Sequence, residues 1–171
     1  AVAGGGSAVA VAVDLPAPTP AFQVALVAEL LHQRLQGALE ERTVSDFVPL
    51  IPGRQVVVLL VEGAAGLNEL EGEVERAWEA ARAPVGEEAL SAVRRRVAAT
   101  RAAAAAGALG RACGCAAVAA GAESWRTAGE EEMEILRVGA GELSAALRSL
   151  GRWGELESAG AGLLPIGDGP P

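Results

Sequence analysis

Lysine and tyrosine are missing from these 171 residues, histidine and methionine occur once each, and cysteine occurs twice. Aromatic residues amount to 3%, as three Trp and two Phe. The interior must therefore be built from Ala, Val and Leu. A single histidine, His32, cannot supply the multi-histidine metal sites of most zinc enzymes. The two cysteines, Cys113 and Cys115, flank one glycine, so no disulfide framework is available and a reducing, cytoplasmic setting is favoured. All 14 basic residues are Arg, against 22 acidic ones, for a net charge of −8. A surface that binds phosphates by releasing counterions needs clustered cations, so nucleic acid is excluded as a partner.

Hydrophobic residues make up 51% and charged residues 21%, a balance that folds. The length suits a single lobe over 1–171, with a recognisable unit at about 8–155 and a tail or edge strand over 156–171. Ala1 to Val13 is small and apolar, but no basic residue precedes it and Asp14 and Pro16 end it early, so it reads as a strand. The Ala-rich stretch from Ala102 to Ala120 is interrupted by Arg111 and three glycines, and Ala inserts weakly into bilayers. The chain is expected not to be transmembrane.

Alternation over Ala8 to Val13 sets Val9, Val11 and Val13 on one face of a first strand. Pro16, Pro18 and Pro20 hold an extended connection, and a helix follows over Ala21 to Glu41 with Val24, Val27, Leu31, Leu35 and Leu39 as its stripe. Thr43 to Gly53 reads as a second strand, turned by Pro52-Gly53 into Arg54 to Glu62. In that last strand Val56 to Val61 has no polar break, which implies burial on both faces, one under helices and one under another cover. Asn68 is the expected N-cap of a helix to Arg82, with Leu70, Val74, Ala77, Trp78 and Ala81 inward. Further helices are expected over Glu87 to Gly107, Leu109 to Ala122, Gly129 to Val138 and Glu142 to Trp153, the alanines serving close packing. Leu163, Leu164 and Ile166 suit a short edge strand.

The order of elements, with Asp14-Leu15-Pro16 closing the first strand, Ala28-Glu29-Leu30-Leu31 through Leu39-Glu40-Glu41-Arg42, and Pro84-Val85-Gly86-Glu87-Glu88-Ala89-Leu90 opening the long helix, resembles one half-unit of the pitrilysin-type (inverzincin) zinc metallopeptidases. That family includes mitochondrial processing peptidase and its non-catalytic core-protein relatives. The resemblance implies an α+β lobe, a small mostly antiparallel sheet with helices packed on one face. It also implies pairing with a homologous lobe, one of which carries H-x-x-E-H, where two histidines bind zinc and the glutamate takes a proton from bound water. Here the corresponding text is His32-Gln33-Arg34-Leu35-Gln36, without the glutamate or the second histidine. The resemblance thus implies no metal site, no cofactor and no catalysis by this chain alone. Non-zinc half-units of active members place an Arg and a Tyr at the spacing of Glu40 and Phe47, to hold the substrate carbonyl. Glu40 brings no cation and Phe47 no hydroxyl, so these substrate-binding positions are degenerate; a small shift of alignment would offer Arg42.

Other features carry blander readings. His32 beside Leu31 and Leu35 is an ordinary surface or interface histidine, and Cys113 and Cys115 are small buried residues of an Ala-rich helix. Arg94, Arg95, Arg96 and Arg101 are expected to pair with Glu87, Glu88 or a partner's acids, and Glu130 to Glu134 to be a solvated helix start. Trp78, Trp125 and Trp153 are the best anchors for core or interface energy. Together these lead to a non-catalytic, peptidase-like subunit paired as a heterodimer with a related, possibly zinc-bearing lobe. The competing readings are a structural scaffold subunit and a free-standing peptide-binding module.

Overall fold

The computed structural model describes residues 6–16, 19–51, 54–119 and 128–158. Its centre is the helix α1 (Ala21–Ala38), which buries Phe22, Leu26, Ala28 and Leu30 in addition to the expected Val24, Val27, Leu31 and Leu35. One apolar stripe serves a helix covered on one side; α1 is covered on two. On one side lies the sheet, β1 (Ser7–Asp14), β2 (Thr43–Phe47), β3 (Leu50–Ile51) and β4 (Arg54–Gly63). On the other lie α3 (Glu87–Ala106), α5 (Ala128–Arg137) and α6 (Ala140–Ser149), while α2 (Leu67–Ala81) runs beside α1 and also covers β1. The element order is completed by α4 (Ala108–Ala119) and α7 (Trp153–Ser158).

The sheet is antiparallel, with order β1-β4-β2 and β3 folded onto β4 as a hairpin. β4 pairs with β1 from Ser7 opposite Gly63 to Asp14 opposite Val56, and with β2 from Thr43 opposite Glu62 to Phe47 opposite Val58. Register and pleat send Val9, Val11, Val13, Val44, Val57, Leu59 and Val61 to the helical side, where all are buried. This is the α+β architecture expected, a small antiparallel sheet with helices on one face.

The opposite face is where the unbroken ribbon matters. Val58 and Leu60 point away from the helices, flanked by Ala10 and Ala12 on one side and Ser45 and Phe47 on the other. Val58 and Leu60 are half-buried and Phe47 is 53% exposed, so among the described residues this apolar face is partly open.

Several boundaries differ from the sequence expectation, each for a local reason. α1 ends at Ala38 instead of Glu41, because Gln36 turns back: its Nε2 donates to the Arg42 carbonyl (2.9 Å) and its Oε1 accepts from the Val44 N–H (3.1 Å). The strand expected over Thr43 to Gly53 breaks into β2 and β3 around Val48 and Pro49, since a proline lacks the N–H that a ladder needs. α2 starts at Leu67 after a Gly66 N-cap, which displaces Asn68 from the capping position. The helix expected over Glu142 to Trp153 is two helices, α6 and α7, parted at Leu150-Gly151-Arg152. Pro52-Gly53, Trp125, and the Leu163, Leu164 and Ile166 strand lie outside the described residues.

The alanines do not all serve close packing. Ala102 to Ala106, in the distal half of α3, are exposed, and the principal neighbour of α4 is α3. Cys115 on α4 is a free, exposed thiol, which overturns its reading as a buried small residue. The turn between the two helices is tight: a Cβ on Gly110 would lie 1.9 Å from the Ala104 carbonyl oxygen.

Candidate functional site

The positions implicated by spacing and resemblance lie along the corner joining α1 to β2. Glu40 is exposed in the turn after α1, and Phe47 ends β2 on the open face. Four residues of strand, about 13 Å, separate Thr43 from Phe47. The strand thus carries the Phe47 ring away from the turn that holds Glu40.

Arg42, the cation that a shifted alignment would offer, is engaged within the lobe. Its Nε is 2.9 Å and its Nη2 3.1 Å from the two carboxylate oxygens of Glu73 on α2, a two-point pair. Hydrogen bonding to Arg42 is the main cause that lowers the Glu73 pKa, and the same bond raises that of Arg42. The arrangement needs Gly63, where a Cβ would stand 2.6 Å from Arg42 Cδ. A guanidinium held from both sides in this way is a strut between the α1–β2 turn, the end of β4 and α2.

His32 Nδ1 lies 2.8 Å from Asp46 Oδ1, with both side chains about a quarter exposed. The contact is a close polar approach that lies off the line of the ring N–H. It fastens α1 to the edge strand β2, a role more specific than the plain surface histidine expected. Among the described residues no group of three or more His, Cys, Asp or Glu side chains is gathered to hold a metal ion.

The arginines find partners other than Glu87 and Glu88. Arg94 donates to the Val138 carbonyl at the end of α5, Arg96 pairs with Glu29 on α1 (3.3 Å), and Arg101 pairs with Glu131 on α5. Glu131 therefore belongs to an ion pair, where a wholly solvated helix start was expected. Trp78 is fully buried on α2 and its Nε1 donates to the Gly151 carbonyl (3.1 Å). Trp153 is also buried, and its backbone N–H donates to Glu79 Oε1 (3.1 Å). Both rings are spent on this chain's own core, so neither is offered whole to a partner.

Arg34 is a functional-looking residue that spacing did not single out. Its Nη1 donates to the Ala81 (2.6 Å) and Ala83 (2.5 Å) carbonyls and its Nη2 to that of Pro84 (3.0 Å). Carbonyls at a helix end lack partners of their own and carry the negative end of the helix dipole, so the cation caps α2. Burial lowers the Arg34 pKa. The signal for this in the sequence is faint: one of several polar residues in a largely buried helix, with the Pro84 break fifty residues on.

This geometry, a central helix clamped to a small antiparallel sheet under a second layer of helices, also occurs among solved structures. A crystal structure from Bordetella pertussis Tohama I, whose protein carries a provisional zinc-protease assignment, matches with a TM-score of 0.68. The match covers 88% of this chain and 89% of that one. The fold is zinc-protease-like. At 18% identity the likeness to that zinc protease is one of fold. No family model and no curated protein sequence matches the chain.

Proposed function

We propose that this chain is a non-catalytic, peptidase-like lobe that pairs with a related lobe and completes or braces a zinc-peptidase-type assembly. The observation that carries the reading is the partly open face of the sheet, where, among the described residues, Val58 and Leu60 are half-buried and Phe47 is exposed. Burying such a face contributes about 25 cal/mol per Å² of apolar area, which makes a covering partner the favourable state.

The chemistry of the site supports the non-catalytic half of the reading. His32 faces Asp46 without the second histidine and glutamate of H-x-x-E-H, Glu40 cannot donate to an oxyanion, and Phe47 has no hydroxyl. Arg42, which could donate, is held by Glu73. Its work on this reading is to shape one wall of a shared chamber while the partner supplies the metal.

The test is co-expression with zinc-bearing lobes encoded nearby, followed by zinc analysis and peptide hydrolysis on the separate chains and the mixture. The reading expects neither zinc nor hydrolysis from this chain alone and stoichiometric association with a partner that has both. Tight stoichiometric zinc in the isolated chain would overturn it. Association only with another lobe lacking H-x-x-E-H would favour the scaffold reading.

A further inference from the structure

A polar groove of about 540 Å³ runs between the C-terminal half of α2 and the break that parts α6 from α7. It shares no residue with the open sheet face or with the α1–β2 corner. On one wall Glu75, Glu79 and Arg82 follow one another at spacings of four and three, which sets them on a single face of α2 and its C-cap. On the other stand Arg148, in the last turn of α6, and Arg152, immediately before Trp153 opens α7. The chain has 22 acidic residues and 14 basic ones, so a groove with three arginines and two glutamates reverses the general balance. Its walls are held before anything binds. Trp78 Nε1 donates to the Gly151 carbonyl and the Trp153 N–H to Glu79 Oε1, which anchors the break to α2, and the Arg152 N–H donates to Glu155 Oε2 (2.7 Å). Glu79 is thereby spent, since its Oε2 accepts from Arg82 Nη1 (2.9 Å). Arg82 gives one of its guanidinium donors to that bond, and its buried Nε has no partner among the described residues. Arg148 and Arg152 are exposed, and no carboxylate of the described residues pairs with either guanidinium.

We infer that this groove binds a small carboxylate ligand, either a free carboxylic acid or the C-terminal carboxylate of a short peptide, through Arg148 and Arg152 with Arg82 as a third donor. Charge decides between the anions that arginines take. Glu79 and Arg82 neutralise each other, so Arg148 and Arg152 exceed Glu75 by one positive charge. One carboxylate balances that excess, whereas a doubly charged phosphate exceeds it and meets Glu75 as a like charge. The planar fork of a guanidinium also matches the paired oxygens of a carboxylate. The volume is well above that of a lone ion and within the range of sites for small organic ligands, which leaves room for the chain behind the carboxylate. Because bonds to α2 already place the break, the wall that carries both free arginines needs no backbone ordering on binding.

The test uses the full chain alone, so its failure leaves the pairing of lobes to be judged separately. The probes are an N-acetylated alanine tripeptide, the same tripeptide with an amidated C-terminus, sodium acetate and inorganic phosphate. Each is titrated while the Gly154 amide, on the groove wall, is followed by nuclear magnetic resonance. The free-acid tripeptide is expected to shift that signal saturably, with an affinity that falls as salt is raised, and amidation should weaken it at least about tenfold. Arg148→Gln and Arg152→Gln should each weaken it about tenfold with an unchanged circular dichroism spectrum. Arg95→Gln, which removes an exposed cation of α3 outside the groove, should leave the affinity as it is. Glu75→Gln should tighten phosphate more than acetate, because it lifts the charge limit. Acetate held as tightly as the tripeptide assigns the groove to free acids, and a tighter hold on the tripeptide assigns it to peptide ends. No saturable shift, equal binding of the amidated tripeptide, indifference to both arginine variants, or phosphate held by the parent chain more tightly than either carboxylate would overturn the inference.

Discussion

Gly63 and Arg42 occupy space that only one of them can fill: a methyl group on Gly63 would stand 2.6 Å from Arg42 Cδ. The end of β4 is thus coupled to the two-point pair between Arg42 and Glu73. Gly63→Ala is expected to push the guanidinium off Glu73 and lower the melting temperature by a few degrees. In an Arg42→Ala background the same change should cost measurably less, because the clash is gone; equal costs in both backgrounds would show that the two residues are uncoupled.

The same pair sets a pH dependence. Arg42 holds the Glu73 carboxyl below its ordinary value in the folded chain. A depressed folded pKa gives stability that is fully present above the unfolded carboxyl pKa and is lost as pH falls through the folded one. Denaturation midpoints measured between neutral and acid pH should therefore drop less steeply in Glu73→Gln than in the parent.

Arg34→Met keeps an unbranched apolar stem and removes three donated hydrogen bonds from the end of α2. Leaving those carbonyls to weaker partners should cost roughly 2 kcal/mol in urea unfolding. Arg34→Lys should recover only part, since one ammonium cannot reproduce the planar fork.

Ser144, buried on α6, accepts the Val85 N–H through its hydroxyl (2.9 Å) and so ties the α2–α3 linker to the outer helical layer. Ser144→Ala strands a buried donor, with an expected loss of about 1–2 kcal/mol. Hydrogen exchange of the Val85 amide should quicken, and an unchanged rate would refute the assignment.

Trp78→Ala should cost about 3–5 kcal/mol, the range for emptying a large aromatic site. Trp78→Phe should lose chiefly the bond to the Gly151 carbonyl and leave the α6–α7 break less firmly placed. Acrylamide quenching would separate this buried ring from any exposed indole.

Much of this fold is legible in periodicity. The inward residues of α2, Leu70, Val74, Ala77, Trp78 and Ala81, and the alternation of Val9, Val11 and Val13 could be read directly, because each element has one buried face. α1 was harder to read: its extra buried residues reflect a second helical layer that no local pattern encodes. Arg34 and Arg94 act through backbone carbonyls distant in sequence, and Gln36 through a nearby carbonyl and amide just past its helix, whereas a charge count looks for carboxylates. Exposure of the Ala-rich arm was equally hidden, since alanine is at home inside or outside. At the candidate site, the fate of Arg42 depended on Glu73, thirty-one residues away, and on the missing side chain of Gly63.

The Gln36 turn-back has one more consequence. β2 is short and Val44 is its one buried residue, so hydrophobicity alone specifies its alignment weakly. A slip by one position would put Ser45 where Val44 belongs and swing Asp46 away from His32. By gripping Arg42 and Val44 together, a single glutamine amide acts as the molecule's ratchet stop, keeping this marginal edge from sliding along its neighbour.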